Sequence, residues 1–298
     1  MINETSNNLF VKPSATVSDA YHELATVFEE CGIRSAKLDA RLLVCHTFQL
    51  SHEEFIMYPQ RPASLSELVS LREAGRRRAE REPVSRITGR REFWSQTYLI
   101  NEFTLDPRPD TELVVINLLE LLSAGGRQSE ELRILDLGTG CGCLLLSLLM
   151  ELPCAFGTGT DISIGALDIA NINCLRLGLE NRARFLKSDW WEDVEGKFDI
   201  IVSNPPYIKQ EEIRNLDREV SVYDPLTALD GGKDGLRAYK EIIGPIKRYL
   251  SSDGVVAVEI GTDQKNQVES LFRHFDFEVI GERRDLSGIS RCVAAKMR

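Results

Sequence analysis

The sequence predicts an α/β protein: a mostly parallel, doubly wound sheet with an antiparallel edge hairpin, plus a small all-helical N-terminal domain. Three observations carry this. Residues from about 16 to 80 repeat with helical periodicity, and no strand-like run precedes Pro83. From Leu132 onward, strands and helices alternate, the βαβ pattern of a parallel sheet. Near the end, strand-like runs at 275–281 and 292–296 flank residues 283–291 with no helix between them, which predicts an edge hairpin.

Each element follows in order. Tyr21, Leu24, Ala25 and Phe28 fall on one helical face. Leu38, Leu42 and Cys45 repeat that spacing and are expected to face the same core. Leu65, Leu68, Val69 and Arg72 open a third or fourth helix. Phe93, Trp94, Thr97, Tyr98, Leu99 and Ile100 favour strands, broken near 95–96 and 101–102, so a short hairpin is expected. The expected division is a helical domain at 1–85, a β-hairpin linker at 86–106 and an α/β domain at 107–298. Pro107 and Pro109 punctuate the chain before a helix at 113–122, which Gly125 and Gly126 end. Strands follow at 132–137, 155–160, 184–187, 198–203 and 255–260, with helices at 144–152 and 166–177.

Composition limits the function classes. The 298 residues suggest about two domains, and 43% hydrophobic with 28% charged residues excludes wholesale disorder. A net charge of −10 argues against holding long duplex nucleic acid by phosphate neutralisation. No run approaches the length of a membrane helix. Residues 1–13 lack a basic start and an apolar block, so no secretion signal is expected. The seven cysteines form no C-x-x-C pair, which fits reduced thiols in a cytoplasm and gives a metal site little to build on. Between Arg72 and Arg91 eight arginines face three glutamates. An acidic partner surface or ribosomal RNA is one reading; a solvated helix face with ion pairs is the favoured one.

The run Gly138-Thr139-Gly140-Cys141-Gly142 follows a strand and precedes a helix. Its glycines allow close approach of backbone to a ligand, and the helix start offers free N–H groups. The spacing is G-x-G-x-G where a dinucleotide fingerprint would be G-x-G-x-x-G, so it leans toward a smaller nucleoside ligand. Asp161 ends the second strand, about 20 residues on, where a carboxylate accepts ribose hydroxyls. Asp189 offers an acceptor for an adenine amino group, or caps a helix. Trp190 offers a ring wall, or packs in the core. Cys141 and Cys143 read as small residues in a tight loop.

The fourth strand runs into Asn204-Pro205-Pro206-Tyr207. Ligands of doubly wound sheets bind beyond the carboxyl ends of the strands. The two prolines hold the chain extended and donate nothing, leaving carbonyl acceptors free. The Asn204 amide oxygen and the Pro205 carbonyl can then accept both hydrogens of a substrate –NH2, with Tyr207 packed over the planar group. That arrangement suits methyl transfer to a weakly nucleophilic planar nitrogen, because off-plane acceptors favour pyramidalisation and aim the lone pair. No residue stands out as a general base. Arg108 and Glu112, four apart, either pair across a turn or close over the cofactor.

At these residues the sequence resembles the class I (Rossmann-like), S-adenosylmethionine-dependent methyltransferases with an N-P-P-Y motif. More narrowly, it resembles the HemK/PrmC family of protein-glutamine N5-methyltransferases. The likeness spans nearly the whole chain. It takes in Pro83, Gly89, Phe93-Trp94, the run from Pro107 to Glu112, Asp136 to Gly142, Asp161-Ile162-Ser163 and Asn204 to Tyr207. Residues 230–236, Glu259-Ile260-Gly261 with Gln264, and Asp285 to Gly288 with Arg291 complete it. Asp110 stands where the family often has Glu, and Cys141 where Ser is common; neither change should alter the chemistry.

The resemblance implies that Gly138 to Gly142, Asp161 and Trp190 bind S-adenosylmethionine. It also implies that Asn204 to Tyr207 hold the glutamine of the Gly-Gly-Gln loop of peptide release factors, with Asn204 beside the methyl donor. The helical domain would help grip that protein substrate. A monomer with no stable nucleic-acid binding is expected. The alternative is amino methylation of adenine or cytosine in nucleic acid, since the same motif suits an exocyclic –NH2. Such an enzyme must also extract its base and hold the strand, and no basic, aromatic-rich insertion for that is visible.

Overall fold

Helix starts are written into the N-terminal region as Ser/Thr-x-x-Asp/Glu. The computed structural model describes residues 15–298, so the expectation about a leader at 1–13 lies outside the described residues. Helix α1 (Val17–Glu30) opens with the Thr16 hydroxyl accepting from the Asp19 N–H while the Asp19 carboxylate accepts from Thr16. The same reciprocal cap opens α3 (His52–Met57) through Ser51 and Glu54, and α4 (Leu65–Ala79) through Ser64 and Glu67. Each cap satisfies two donors that a helix start would otherwise leave unpaired. Helices α2 (Ala36–Thr47) and α5 (Val84–Thr88) complete a helical unit that, among the described residues, runs to Gly89.

The core of this unit corrects two expectations. Leu24, Ala25 and Phe28 of α1 are buried as the periodicity implies, but Leu38 and Leu42 of α2 are exposed. The buried stripe of α2 is Ala36, Asp39, Ala40, Leu43 and Val44. A carboxylate sits inside it because Arg78 of α4 pairs with Asp39 at 2.7 Å, both side chains buried. In α4, likewise, Leu68 and Leu71 are buried while Leu65 and Val69 face solvent. Counting only apolar residues misplaced both faces, since the ion pair occupies a core position. The arginine run has local partners: Arg76 bonds Glu73 and Glu80, Arg77 bonds Glu82, and Arg81 donates to the Cys31 carbonyl.

The second unit, residues 90–298, begins with the hairpin β1 (Arg90–Phe93) and β2 (Gln96–Leu99). Its turn is Trp94-Ser95, both at positive φ, a backbone region costly for side-chain-bearing residues. Compensation comes from Glu112, whose Oε1 accepts from the Trp94 N–H at 2.8 Å, and from Glu151, which accepts from the Trp94 indole at 2.8 Å. Helix α6 (Glu112–Ala124) leads into a seven-stranded sheet ordered β5-β4-β3-β6-β7-β9-β8. These strands are β3 (Arg133–Leu137), β4 (Phe156–Asp161), β5 (Ala183–Lys187), β6 (Phe198–Ser203), β7 (Leu250–Glu259), β8 (Phe277–Arg284) and β9 (Ser290–Met297). The first five are parallel, and β9 and β8 form the antiparallel edge.

Side chains alternate between the sheet faces, as strand geometry requires. Ile134, Ile200, Val202, Ala257 and Ala294 face a core shared with α6, α7 (Cys143–Glu151) and α8 (Ile164–Arg176). Leu135, Leu137, Ile201, Val256, Val258 and Val293 face the other core, with α10 (Arg237–Ile243) and α11 (Lys265–His274). A one-turn helix, α9 (Arg218–Ser221), lies in the segment after β6. Sequence periodicity does not reveal α10 or α11, the first because it is short and the second because polar residues dominate it. The strand order turns back between β3 and β6, which opens a crevice at their carboxyl ends.

Ser95→Gly should relieve the turn and raise unfolding free energy by about 0.5–1 kcal/mol. Urea denaturation checks it; an unchanged or lower midpoint would show that the turn carries no strain.

Candidate active site

Four strand ends meet at one cavity of about 470 Å³. The loop after β3 supplies Gly138, Thr139, Gly140 and Cys141, the end of β4 supplies Asp161, the segment after β5 supplies Asp189 and Trp190, and the segment after β6 supplies Asn204 and Pro206. Nine of the residues singled out in the sequence thus line a single space. Gly142, Pro205 and Tyr207 are not among its lining residues. Gly142 instead caps α7 at φ +82°, and a methyl there would press on Leu146 and Ala170. A methyl on Gly140, at φ +56°, would meet nothing within 4 Å, so this loop leaves its backbone open to a ligand.

Asp161 is oriented by two backbone donors. Its Oδ2 accepts from the Gly140 N–H and its Oδ1 from the Ser163 N–H, both at 2.9 Å. Each oxygen keeps a lone pair for a further donor. Burial raises the Asp161 pKa, and these backbone bonds oppose the rise. Asp136, at the end of β3, is more extreme: burial pushes it up to about 7, although the Thr139 hydroxyl donates to it at 2.7 Å. A fully buried carboxyl facing a cavity is poised to ionise when a cationic group arrives.

Asp189 is exposed and followed by a turn, so it has no helix to cap. Trp190 is half-buried at φ +49°, its ring against Gly138 at the cavity and also packed on the core that Trp191 enters more deeply, stacked on Tyr249 with ring centroids 4.5 Å apart. Cys141 and Cys143 are both buried, and hydrogen bonding to Cys141 together with burial holds the Cys143 thiol well above its usual range. Cys141 sits in the glycine-rich loop and Cys143 opens α7, both as small buried side chains.

Asn204 Nδ2 donates to the Thr111 hydroxyl at 3.1 Å, which leaves Oδ1 as an acceptor. Among the described residues nothing donates to the Pro205 carbonyl. Tyr207 turns its hydroxyl to Glu259, at 3.1 Å. The loop is clamped by Gln264, whose Nε2 donates to the carbonyls of Tyr207 (2.9 Å) and Gly235 (3.1 Å) while its Oε1 accepts from Gly261 (3.0 Å). Gly231 lies so close that a methyl would come within 2.8 Å of the Tyr207 backbone. The Arg108–Glu112 pairing does not form: Arg108 bonds the buried Asp224 at 2.6 Å, and Glu112 holds the hairpin turn. Sequence reasoning assigned no site role to Thr111, Glu259 or Gln264; their only signal was membership in the runs that carry the resemblance.

Among the described residues no cluster of three or more potential ligands could hold a metal ion, and no helix is long and apolar enough to cross a membrane. Sheet order and crevice define a Rossmann-like methyltransferase. The hMettl16 catalytic domain shares the fold at a TM-score of 0.55 and 15% identity, covering 78% of this chain and 82% of that one. Residues 19–89 match the PrmC N-terminal domain and residues 116–220 the methyltransferase small domain. A release factor glutamine methyltransferase of Agrobacterium fabrum is 42% identical over 93% of this chain and 96% of its own length. One from Rhodospirillum rubrum is 44% identical over 90% and 81%. The chain belongs to this HemK/PrmC family of release factor glutamine methyltransferases.

Because Asp136 binds its proton more tightly folded than unfolded, its contribution to stability is present at acid pH and lost as pH rises to about 7. Asp136→Asn, which keeps an acceptor for Thr139, should gain about 1–2 kcal/mol relative to wild type between pH 5 and 8. Denaturation of both proteins at the two pH values measures this. A pH-independent difference would contradict the raised pKa.

Proposed function

We propose that this protein transfers a methyl group from S-adenosylmethionine to the side-chain N5 of the glutamine in the Gly-Gly-Gln motif of peptide chain release factors. It acts in the cytoplasm as a monomer, on a protein substrate that the helical unit helps to grip. The observation that carries the reading is the Asn204 amide: Nδ2 is committed to Thr111, so Oδ1 remains to accept from a substrate –NH2 at the cavity. Membership of the family supports the substrate.

The cavity suits the cofactor by the chemistry of its donors and acceptors. Asp161 has the lone pairs for two ribose hydroxyls, Asp189 an acceptor for an adenine amino group, and Trp190 a ring wall. Asp136 offers a buried carboxyl to an ammonium group, whose charge would pull its pKa back down. Gly138, Thr139, Gly140, Cys141 and Gly142 form the close-approach loop. The cavity volume falls in the range of small-molecule sites. S-adenosylmethionine supplies a methyl group already activated on a sulfonium.

The task left to the chain is orientation. A glutamine side-chain nitrogen has its lone pair delocalised into the carbonyl, so it is a poor nucleophile. Asn204 Oδ1 and the Pro205 carbonyl accept its two hydrogens and hold them off the amide plane, which favours the pyramidal nitrogen of the transition state. Pro205 and Pro206 keep that stretch extended, and Tyr207 anchors it through Glu259.

Incubation with S-adenosylmethionine and a release factor, with DNA in parallel, should place one methyl on the Gly-Gly-Gln glutamine by peptide mass spectrometry. Methyl on DNA alone would overturn the substrate. Asn204→Ala should lower turnover about 100-fold, the scale for one oriented polar group. Cofactor affinity is measured separately by calorimetry, and near-normal turnover would remove Asn204 from the mechanism.

A further inference from the structure

Phe103, in the connector between β2 and α6, is an aromatic residue on the cavity wall that the transfer chemistry leaves unused. It is 51% exposed. Its ring rests on Gly165, in the first turn of α8: a methyl on Gly165 would come within 2.7 Å of Phe103 Cγ and 2.9 Å of Cε2. Gly165 has a negative φ, so backbone freedom does not account for a glycine there, and glycine is a poor helix former. The space taken by the ring does account for it.

Asn101 fixes both partners of this contact. Its Oδ1 accepts from the Phe103 N–H at 3.0 Å, and its Nδ2 donates to the Gly165 carbonyl at 2.8 Å. Thr104 closes the turn, its N–H and hydroxyl donating to the Asn101 carbonyl at 3.2 and 3.1 Å. One amide thus bonds the residue that carries the ring and the residue on which the ring rests. An aromatic ring packed against backbone, half exposed and lining a cavity, has the form of a stacking platform.

We propose that Phe103 is a binding residue for the purine base of the cofactor, its ring held by Gly165 and Asn101 as the surface on which the base stacks. The inference deepens the methyl-transfer reading and rests on its cofactor. Base and ribose share one carbon, next to the carbon that bears the 2′-hydroxyl. A ribose whose hydroxyls bond Asp161 therefore brings its base beside the residues that follow Asp161, where Gly165 carries the ring. Ile162 and Leu105 line the same space and add apolar contact. The labour is then divided. Asp189 meets the amino edge of the base and selects it, while Phe103 meets a face and supplies affinity, since stacking tolerates any base.

Calorimetry of the full chain with S-adenosylhomocysteine, which carries the nucleoside but no methyl to transfer, tests this without turnover. Phe103→Ala should weaken binding about tenfold, the scale for one base on one aromatic ring. Methylthioadenosine, which keeps base and ribose and lacks the amino-acid tail, should lose the same factor. Gly165→Ala, which pushes the ring aside but leaves it in the chain, should weaken binding about threefold alone and cost nothing further in Phe103→Ala. Should Phe103→Ala fail to fold, Phe103→Leu, which keeps apolar bulk without the flat face, should still weaken both ligands. Equal affinity in wild type and the Phe103 variants overturns the proposal. So does a loss confined to S-adenosylhomocysteine, which would put the ring at the amino-acid end. A wild type that binds neither nucleoside sinks the cofactor reading and this inference with it.

Discussion

The carboxyl edge of the sheet depends on how the chain leaves β6, and the Gln264 amide is what holds it. One side chain bonds the Tyr207 and Gly235 carbonyls and accepts from the Gly261 N–H, with the Tyr239 hydroxyl at 3.3 Å. Three segments that share no secondary structure are thereby fixed to one another. Each of those backbone groups is removed from water, and an unpaired buried polar group costs about 1–3 kcal/mol. A fully satisfied amide rigidifies because every alternative arrangement breaks several bonds at once. The absent side chain at Gly231 is the steric half of the same constraint, since only hydrogen fits against the Tyr207 backbone.

Asn173 performs the same task at the glycine-rich loop. Its Nδ2 donates to the carbonyls of Cys141 and Leu99, both at 2.9 Å, and its Oδ1 accepts from the Leu99 N–H at 2.8 Å. The hairpin strand β2 is thus tied to the segment lining the cavity by a residue of α8. Hairpin, loop and helix behave as one piece for that reason, with Tyr98 and Ser147 adding a buried hydroxyl pair at 2.9 Å. Rigid support of this kind is what orientation-based catalysis requires, because small displacements of the reacting groups cost large factors in rate.

What the sequence made legible was local. A strand, a glycine-rich turn and a helix are consecutive, so their relation is visible in the chain itself, and the same holds for Asp161 and for the segment after β6. Residues that act across long separations left no comparable trace: Asn204 and Thr111 are 93 positions apart, and Tyr207 and Glu259 are 52. Periodicity failed in α2 and α4 for a related reason. It assumes that charge marks the solvent face, and the Asp39–Arg78 pair breaks that assumption from the inside. The central parallel strands β3, β6 and β7 were easier, since β-branched and leucine runs buried on both faces have few other solutions.

Charge and polarity divide their work across the two units. In the helical unit, arginines 76, 77, 78 and 81 are engaged by neighbouring glutamates, by Asp39 or by a backbone carbonyl, so a run that looks strongly basic is largely neutralised where it stands. Exposed pairs of this type add little stability. Around the cavity the opposite economy holds. Asp136 and Glu259 are fully buried with no cationic hydrogen-bond partner among the described residues, and burial raises both toward neutrality. A site that must orient a neutral amide gains nothing from a strong fixed charge beside it. With no general base in place, orientation carries the step: once the carbon–nitrogen bond forms, the amide nitrogen is cationic and strongly acidic, so its proton passes to water without a positioned acceptor.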